Sequence, residues 1–417
     1  MTAPDISIQP IVVVGAGQAA CQFIASLRQM GHQGPVVVLG DEPQPPYQRP
    51  PLSKAFLHAG DETSLLLRPL SFFETMRCDL RLGVKVMRIL PEKSEVELEN
   101  GEHLRYAQLV LATGARARDL PGLGGGDQSR VFVLRSLAHA RALREGLAHC
   151  RRLAVIGGGY VGLEVAASAR TQGVAVTVFE SAARVMQRSV GEVTSSLVQE
   201  VHADHDVQLR LGVSLQKVHA AADGIRLGVA GEAEQHFDAL LVGIGAEPCI
   251  SLAKDAGIAC AKGILVDDQG RTSAPGVLAI GDCTEARDGG RPRLESVQGA
   301  IDQAKVAAAA LAGRPVPSPT VPWFWSDQYS HRLQVAGIAR DHDTEVLRRH
   351  GPKKQSVWYL RAGRVIAVEA FDAAEDFMAA RMLIRSGAQL QMDQLADPSY
   401  GLGPAPSASA AAEMASG

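Results

Sequence analysis

One pattern occurs twice and restricts the fold more than any other feature of the chain. Residues 11–14 (IVVV) run into Gly15, Gly17 and Ala20, and a helix-like stretch follows to about Met30. Residues 153–156 (LAVI) run into Gly157, Gly159 and Gly162, with a helix to about Gln172. In each segment a second apolar strand comes next, and an acid closes it: Asp41 or Glu42 in the first, Glu180 in the second. Each segment is a strand–turn–helix–strand unit of the kind that cradles a dinucleotide. The first glycine permits the sharp bend, the second lets backbone approach a pyrophosphate, and the third position must be small so that helix and strand can pack. The helix N-terminus then offers N–H groups and partial positive charge to the phosphates. A single copy could be an ordinary strand–helix turn. Two copies, each closed by an acid, predict two dinucleotide sites in one α/β chain.

Length agrees with that reading, since 417 residues predict two or three domains. Many glycines (42) with few aromatics (5%) suit tight strand-to-helix turns better than an all-β fold. The net charge of -3 excludes a generally basic nucleic-acid binder. The six cysteines, at 21, 78, 150, 249, 260 and 283, form no C-x-x-C pair and join no histidine cluster. No metal site and no disulfide framework are expected, and a reducing, cytoplasmic setting is. The first ten residues make a poor signal peptide, and the apolar stretch 10–27 is broken by its glycine turn, so no membrane span is expected.

Prolines at 43, 45, 46, 50 and 51 argue against regular helix over 43–60 and frame Lys54. Residues 110–114 and 240–245 each read as a strand entering a turn, and 277–280 as a strand ending at Gly281 and Asp282. An alanine-rich helix is expected from about Gln298 to Ala312, then a linker marked by Pro315, Pro317, Pro319 and Pro322. From Trp323 to about Pro398 the pattern changes to short strands (333–336, 356–360, 365–370) and a final helix, a separate α+β domain. The tail 401–417 is low-complexity and expected to be disordered. Trp323 and Trp325 alternate on an extended segment and so face one side, where they cover a flat surface or a core. Arg348, Arg349, Lys353 and Lys354 form a basic run that reads as a solvated hairpin. The closing acids bear on nucleotide choice: a carboxylate there accepts from a ribose diol and repels a 2′-phosphate. Glu180 therefore predicts NADH rather than NADPH. Asp41 is preferred over Glu42 at the first site because it directly follows Gly40.

These pieces, with residues 46–54 (PYQRPPLSK), 112–115 (ATGA), 279–283 (AIGDC), 294–297 (LESV) and 322–329 (PWFWSDQY), resemble the FAD-dependent ferredoxin reductases that serve cytochrome P450 and Rieske oxygenase systems. The likeness covers about residues 8–400. It implies a glutathione-reductase-like fold: two Rossmann-like dinucleotide-binding domains plus a C-terminal α+β domain. The implied domains are a split FAD domain (1–120 and 246–320), an NAD domain (121–245) and a C-terminal domain (321–400). By the same resemblance, Gly15, Gly17, Ala19, Ala20, Asp41, Arg49, Lys54, Val86, Ala112, Thr113, Gly114, Arg135, Asp282, Val297 and Trp325 hold FAD. Gly157, Gly159, Tyr160, Val161, Gly162, Glu164, Glu180 and Gly245 hold NADH. Lys54, Glu164 and Trp325 are the residues expected to act in the chemistry. A lysine near the flavin stabilises negative charge on its reduced form, and Glu164 is the matching carboxylate partner. Glu164 also fits a helix N-terminal acid, and Asp282 a turn residue. The implied partner is a [2Fe–2S] ferredoxin feeding an oxygenase, with Arg68 and Lys305 on the docking side and a monomer or weak dimer as the assembly. A disulfide reductase, an NADH oxidase and a redox-sensing flavoprotein share the fold. The absence of a redox cysteine motif weighs against the first.

Overall fold

The computed structural model describes residues 9–123, 127–289 and 293–402. The expected disordered tail lies, from residue 403 on, outside the described residues. The chain forms two compact units: residues 1–118, 135–137 and 245–319 in one, and 119–134, 138–244 and 320–417 in the other.

The first unit is built on a five-stranded parallel sheet. Its order is Cys78–Leu82, Val36–Gly40, Ile11–Val14, Gln108–Leu111 and Val277–Ala279. Counted along the chain this is 3-2-1-4-5, the order of a doubly wound nucleotide-binding half. The central strands are buried on both faces, which is why they read as unbroken apolar runs rather than as an alternation. Val13, Val38 and Val110 point to the helices Gln18–Gln29 and Val297–Leu311. Val12, Val37 and Leu109 point the other way, to an antiparallel meander of Val86–Leu90, Glu95–Leu98 and His103–Arg105. Alanines 300, 304, 307 and 308 let the second helix lie close to Ala19, Ala20 and Phe23 of the first.

The second unit repeats the plan. Its parallel sheet runs Gln208–Arg210, Ala175–Phe179, Arg152–Ile156, Ala239–Val242, Val131–Phe132. An antiparallel meander, Leu215–Ala221, Gly224–Val229 and Gln235–Phe237, again precedes the fourth strand of the order Arg152–Ile156, Ala175–Phe179, Gln208–Arg210, Ala239–Val242. The same unit carries a five-stranded antiparallel sheet, ordered Trp323–Gln328, His331–Gly337, Arg364–Phe371, Lys354–Arg361, Thr344–Gly351, with the helix Ala374–Ser386 on it.

Two expectations need correction. Residues 43–60 do hold helix: a 3-10 turn at Pro50–Ser53 and a short α-helix at Ala55–Ala59. The prolines occupy the first positions of that turn, where a missing N–H and a fixed φ cost nothing, and the α-helix begins beyond the last of them. The basic run is not a solvated hairpin throughout. Arg348 lies in a strand, 3% exposed, and donates to the carbonyls of Leu395, Asp397 and Tyr400 beside the Asp376 carboxylate. A guanidinium with five donors can tie down a chain end that has no regular partner, and Arg348 therefore has no freedom to meet another molecule. Lys353 pairs with Asp204.

Candidate functional site

The two glycine turns adopt one geometry. Gly15 has φ +106°, and a β-carbon there would lie 2.2 Å from the Ala112 carbonyl oxygen. Gly157 has φ +105°, and a β-carbon would lie 2.4 Å from the Gly243 carbonyl oxygen. Both positions admit only glycine, on conformation and on space. Each stands where its strand meets the fourth strand of the sheet. That is the topological switch point, outside the carboxyl ends of the strands, where nucleotides bind in folds of this class. Gly17 and Gly159 behave differently. Their backbones are extended, and a β-carbon on either would meet nothing within 4 Å among the described residues. These glycines are not required by the fold around them; they keep a surface open. At the third position a β-carbon on Gly162 would strike the Gly157 carbonyl oxygen at 2.1 Å, and Ala20 is buried at the corresponding place. The helices Gln18–Gln29 and Tyr160–Thr171 begin at Gly17 and Gly159 with no side-chain cap. Open space above the second glycine and an uncapped helix N-terminus fit a pyrophosphate at both turns.

In the first unit, Glu42 is already engaged. It pairs with Arg49 at 2.7 Å and accepts from the Tyr47 hydroxyl at 2.5 Å. Burial pushes the Tyr47 hydroxyl up, so it stays protonated, and it accepts in turn from the Leu137 N–H. Asp41 is exposed at the end of Val36–Gly40. Arg49 also donates to the Arg135 carbonyl at 2.6 Å, and Arg135 pairs with Asp282 at 2.7 Å. Two ion pairs, Glu42–Arg49 and Arg135–Asp282, are therefore joined by the Arg49 hydrogen bond to the Arg135 carbonyl, with Gly114 beside the Arg135 guanidinium. Thr113 donates to the Cys249 carbonyl, Ala112 and Val86 are buried, and Val297 opens the alanine-rich helix. Lys54 is half-buried and reaches the Pro50 carbonyl at 3.4 Å. Sequence reasoning weighs Glu42 only as a strand-closing acid and misses its pairing with Tyr47 and Arg49, which exists only once the strand end and the proline segment meet.

In the second unit, the Glu180 carboxylate accepts from the Gly158 N–H at 2.7 Å and from the Ala182 N–H at 2.8 Å. It is held against the turn by backbone donors. Arg184 donates to the carbonyls of Val190 and Gly191, so this nearby cation is turned to backbone rather than offered to a phosphate. Tyr160 meets Phe324 edge-on at 4.9 Å, and Val161 is exposed on the first turn of its helix. Glu164 is buried and accepts from the Ser326 hydroxyl at 2.6 Å. Trp323 and Trp325 lie 5.6 Å apart on one face of their strand. Gly245, expected with the NADH set, falls in the first unit, where its carbonyl accepts from the Arg118 N–H. Lys54 and Val297 belong to the first unit, Glu164 and Trp325 to the second.

Residues 9–304 match the family described as pyridine nucleotide-disulphide oxidoreductase, and residues 323–405 match the reductase C-terminal family. The chain is 41% identical over 399 residues to rhodocoxin reductase of Rhodococcus erythropolis, covering 94% of this chain and 93% of that one. The chain belongs to the ferredoxin reductases. Among solved structures, the ferredoxin reductase for the CYP199A2 system from Rhodopseudomonas palustris is 36% identical, covers 94% of this chain and 98% of its own, and superposes with a TM-score of 0.89. A covalent putidaredoxin reductase–putidaredoxin complex is 33% identical, with a TM-score of 0.90 over 94% of this chain and 97% of that one. This ferredoxin reductase is thus an FAD- and NADH-dependent oxidoreductase, and no helix among its described residues is long and apolar enough to cross a membrane. Its family includes disulfide chemistry by name, but its own cysteines do not suit it. All six are free, and burial raises every thiol, that of Cys283 to about 11 and those of Cys21, Cys78 and Cys150 to about 12. A thiol held protonated is a poor nucleophile.

One buried group of this reductase makes its stability depend on pH. Burial lowers His202 from 6.5 to about 4, so it is folded in its neutral form. The unfolded chain binds a proton there between those values and the folded chain does not. The contribution is full above pH 6.5 and is lost as pH falls through about 4, up to ~3 kcal/mol. We expect the fall in unfolding temperature between pH 7 and pH 5 to be shallower in His202→Gln than in wild type; parallel curves would remove His202 as the cause.

Proposed function

We propose that the chain carries electrons from NADH, through FAD, to a [2Fe–2S] ferredoxin that feeds a Rieske-type oxygenase or a cytochrome P450. The observation that carries this reading is the pair of matched cradles, one in each unit. Two dinucleotides call for a resident one and an exchanging one. A bound flavin would supply the redox chemistry that joins a two-electron donor to a one-electron acceptor. The chain's residues bind and orient. Gly15, Gly17, Ala19 and Ala20 receive the FAD pyrophosphate, and Asp41 accepts from its adenosine ribose. Arg49, Val86, Ala112, Thr113, Gly114, Arg135, Asp282, Val297 and Trp325 line the cofactor. Lys54 supplies positive charge to the reduced ring. Gly157, Gly159, Tyr160, Val161 and Gly162 receive NADH, with Glu164, Glu180 and Gly245. The division into a split FAD domain (1–120, 246–320), an NAD domain (121–245) and a C-terminal domain (321–400) belongs to the same reading, as does a cytoplasmic monomer or weak dimer.

Nucleotide choice follows from Glu180. A carboxylate held by two backbone N–H groups at the ribose end of the site disfavours NADPH by about 1–3 kcal/mol, roughly 5- to 150-fold. Glu180→Ala is expected to narrow the ratio of kcat/KM for NADH over NADPH towards unity. A wild-type enzyme that uses both equally would remove Glu180 from this role.

Acceptor choice follows from docking. Ferredoxins of this type are acidic, and redox partners meet through small, transient interfaces. Arg68 is exposed and Lys305 half-buried on the first unit. Ferredoxin reduction should slow as salt rises from about 50 to 500 mM, because the Debye length shrinks over that range. Arg68→Glu or Lys305→Glu should slow ferredoxin reduction and spare ferricyanide. Equal loss with both acceptors would place the defect in the cofactor site instead.

A further inference from the structure

The strand Trp323–Gln328 has two faces, and each does something different. Trp323 and Trp325 share one face; Phe324, Ser326 and Gln328 share the other, by the two-residue period of a strand. On that second face Phe324 meets Tyr160, and Ser326 and Gln328 are buried polar residues. They belong to a chain of hydrogen bonds. His202, on the helix Glu192–Asp204, lies with Nε2 2.8 Å from the Gln328 side-chain oxygen. The Gln328 amide nitrogen donates to the Ser326 hydroxyl at 3.2 Å, and that hydroxyl donates to Glu164 at 2.6 Å.

Direction can be read along the whole chain. His202 is buried and neutral, and its Nδ1 meets no partner among the described residues. A bare nitrogen left without a donor costs less than a buried N–H left without an acceptor, so the proton belongs on Nε2, donating to Gln328. The Gln328 amide then has only its NH2 to offer Ser326. The Ser326 hydroxyl, having accepted, turns its own proton to Glu164. Every bond donates towards the carboxylate. Bonds aligned this way in a low-dielectric interior polarise one another.

We propose that Ser326 is a positioning residue for hydride transfer: backed by Gln328 and His202, it fixes the orientation of the Glu164 carboxylate, so that the C-terminal sheet contributes to the NADH site through a hydrogen bond rather than through contact with the nucleotide. The proposal rests on the reading that Glu164 takes part in flavin reduction. It accounts for a buried serine and a buried glutamine on the strand face that also carries Phe324. It also joins, on the two faces of one strand, the tryptophan assigned to the flavin and the carboxylate assigned to NADH.

The test is a cycle of variants measured by anaerobic stopped flow, with flavin bleaching by NADH as the signal. Ser326→Ala is expected to lower the limiting rate about tenfold, the effect of losing one hydrogen bond. Ser326→Thr, which keeps the hydroxyl, should restore most of it. In a Glu164→Gln background, Ser326→Ala should have no further effect, because Ser326 acts only through Glu164. Infrared difference spectra of the oxidised holoprotein give a readout apart from turnover. The carboxylate band assigned to Glu164 by its absence in Glu164→Gln should shift in Ser326→Ala and return in Ser326→Thr. If Ser326→Ala does not retain FAD, Ser326→Cys takes its place, with a smaller shift and slowing in the same direction. An unshifted band, or rate losses that multiply in the double variant, would overturn the role of Ser326. A wild-type rate in Glu164→Gln would overturn the reading of Glu164 beneath it.

Discussion

Gly17→Val is expected to yield a folded chain that binds no flavin. Nothing stands within 4 Å of a β-carbon at this position, and the backbone there is extended, a conformation valine adopts readily. The protein itself gives the substitution no reason to unfold. What the side chain would fill is the open space in which the proposed function seats the pyrophosphate. Losing two hydrogen bonds to charged oxygens removes about 3–6 kcal/mol of binding, at least ~100-fold in affinity. We therefore expect colourless protein with a far-ultraviolet spectrum like that of wild type. Gly15→Val is the contrasting control. There a β-carbon meets the Ala112 carbonyl oxygen at 2.2 Å with φ at +106°, and the fold itself should be damaged. If Gly17→Val carries a full complement of FAD, the first turn is not the flavin cradle.

The same substitution at the second turn should separate the two sites. Gly159 has the same open surroundings as Gly17 and begins its helix in the same way. Gly159→Val is expected to keep FAD and its yellow colour while losing NADH. KM should rise at least ~100-fold by the same loss of phosphate hydrogen bonds. Flavin already reduced with dithionite should still pass its electrons to ferredoxin at the wild-type rate, since nothing in that step uses the second cradle. Loss of flavin from Gly159→Val would mean that the two sites are assigned the wrong way round.

What could be read from the residues alone was what depends on local pattern. Gly15 and Gly157 are visible because one residue type satisfies a positive φ and a close carbonyl, and the helices after the turns because they follow directly. The strands were visible as apolar runs, which is what burial on both faces produces. The two antiparallel meanders were not read, because strands such as Leu215–Ala221 and Gly224–Val229 mix polar and apolar residues and take their identity from their partners. Arg348 was misread for a related reason: its neighbours Arg349, Lys353 and Lys354 suggest solvent, and only the return of residues 394–400 buries it. At the candidate site the acids that close the strands are legible and their supports are not. Glu42 and Asp41 are adjacent and chemically alike. It takes Arg49 and Tyr47, brought over by the proline segment, to occupy one and leave the other exposed. Ser326 and Glu164 are far apart in the chain, and no spacing rule links them.

The central claim is tested most directly by NADH-driven reduction of cytochrome c, measured with and without an added [2Fe–2S] ferredoxin. The account predicts slow reduction by the reductase and NADH alone, and reduction that rises with ferredoxin concentration and saturates. Cytochrome c reduction at an equal rate without ferredoxin, or none in its presence while NADH still bleaches the flavin, would contradict it.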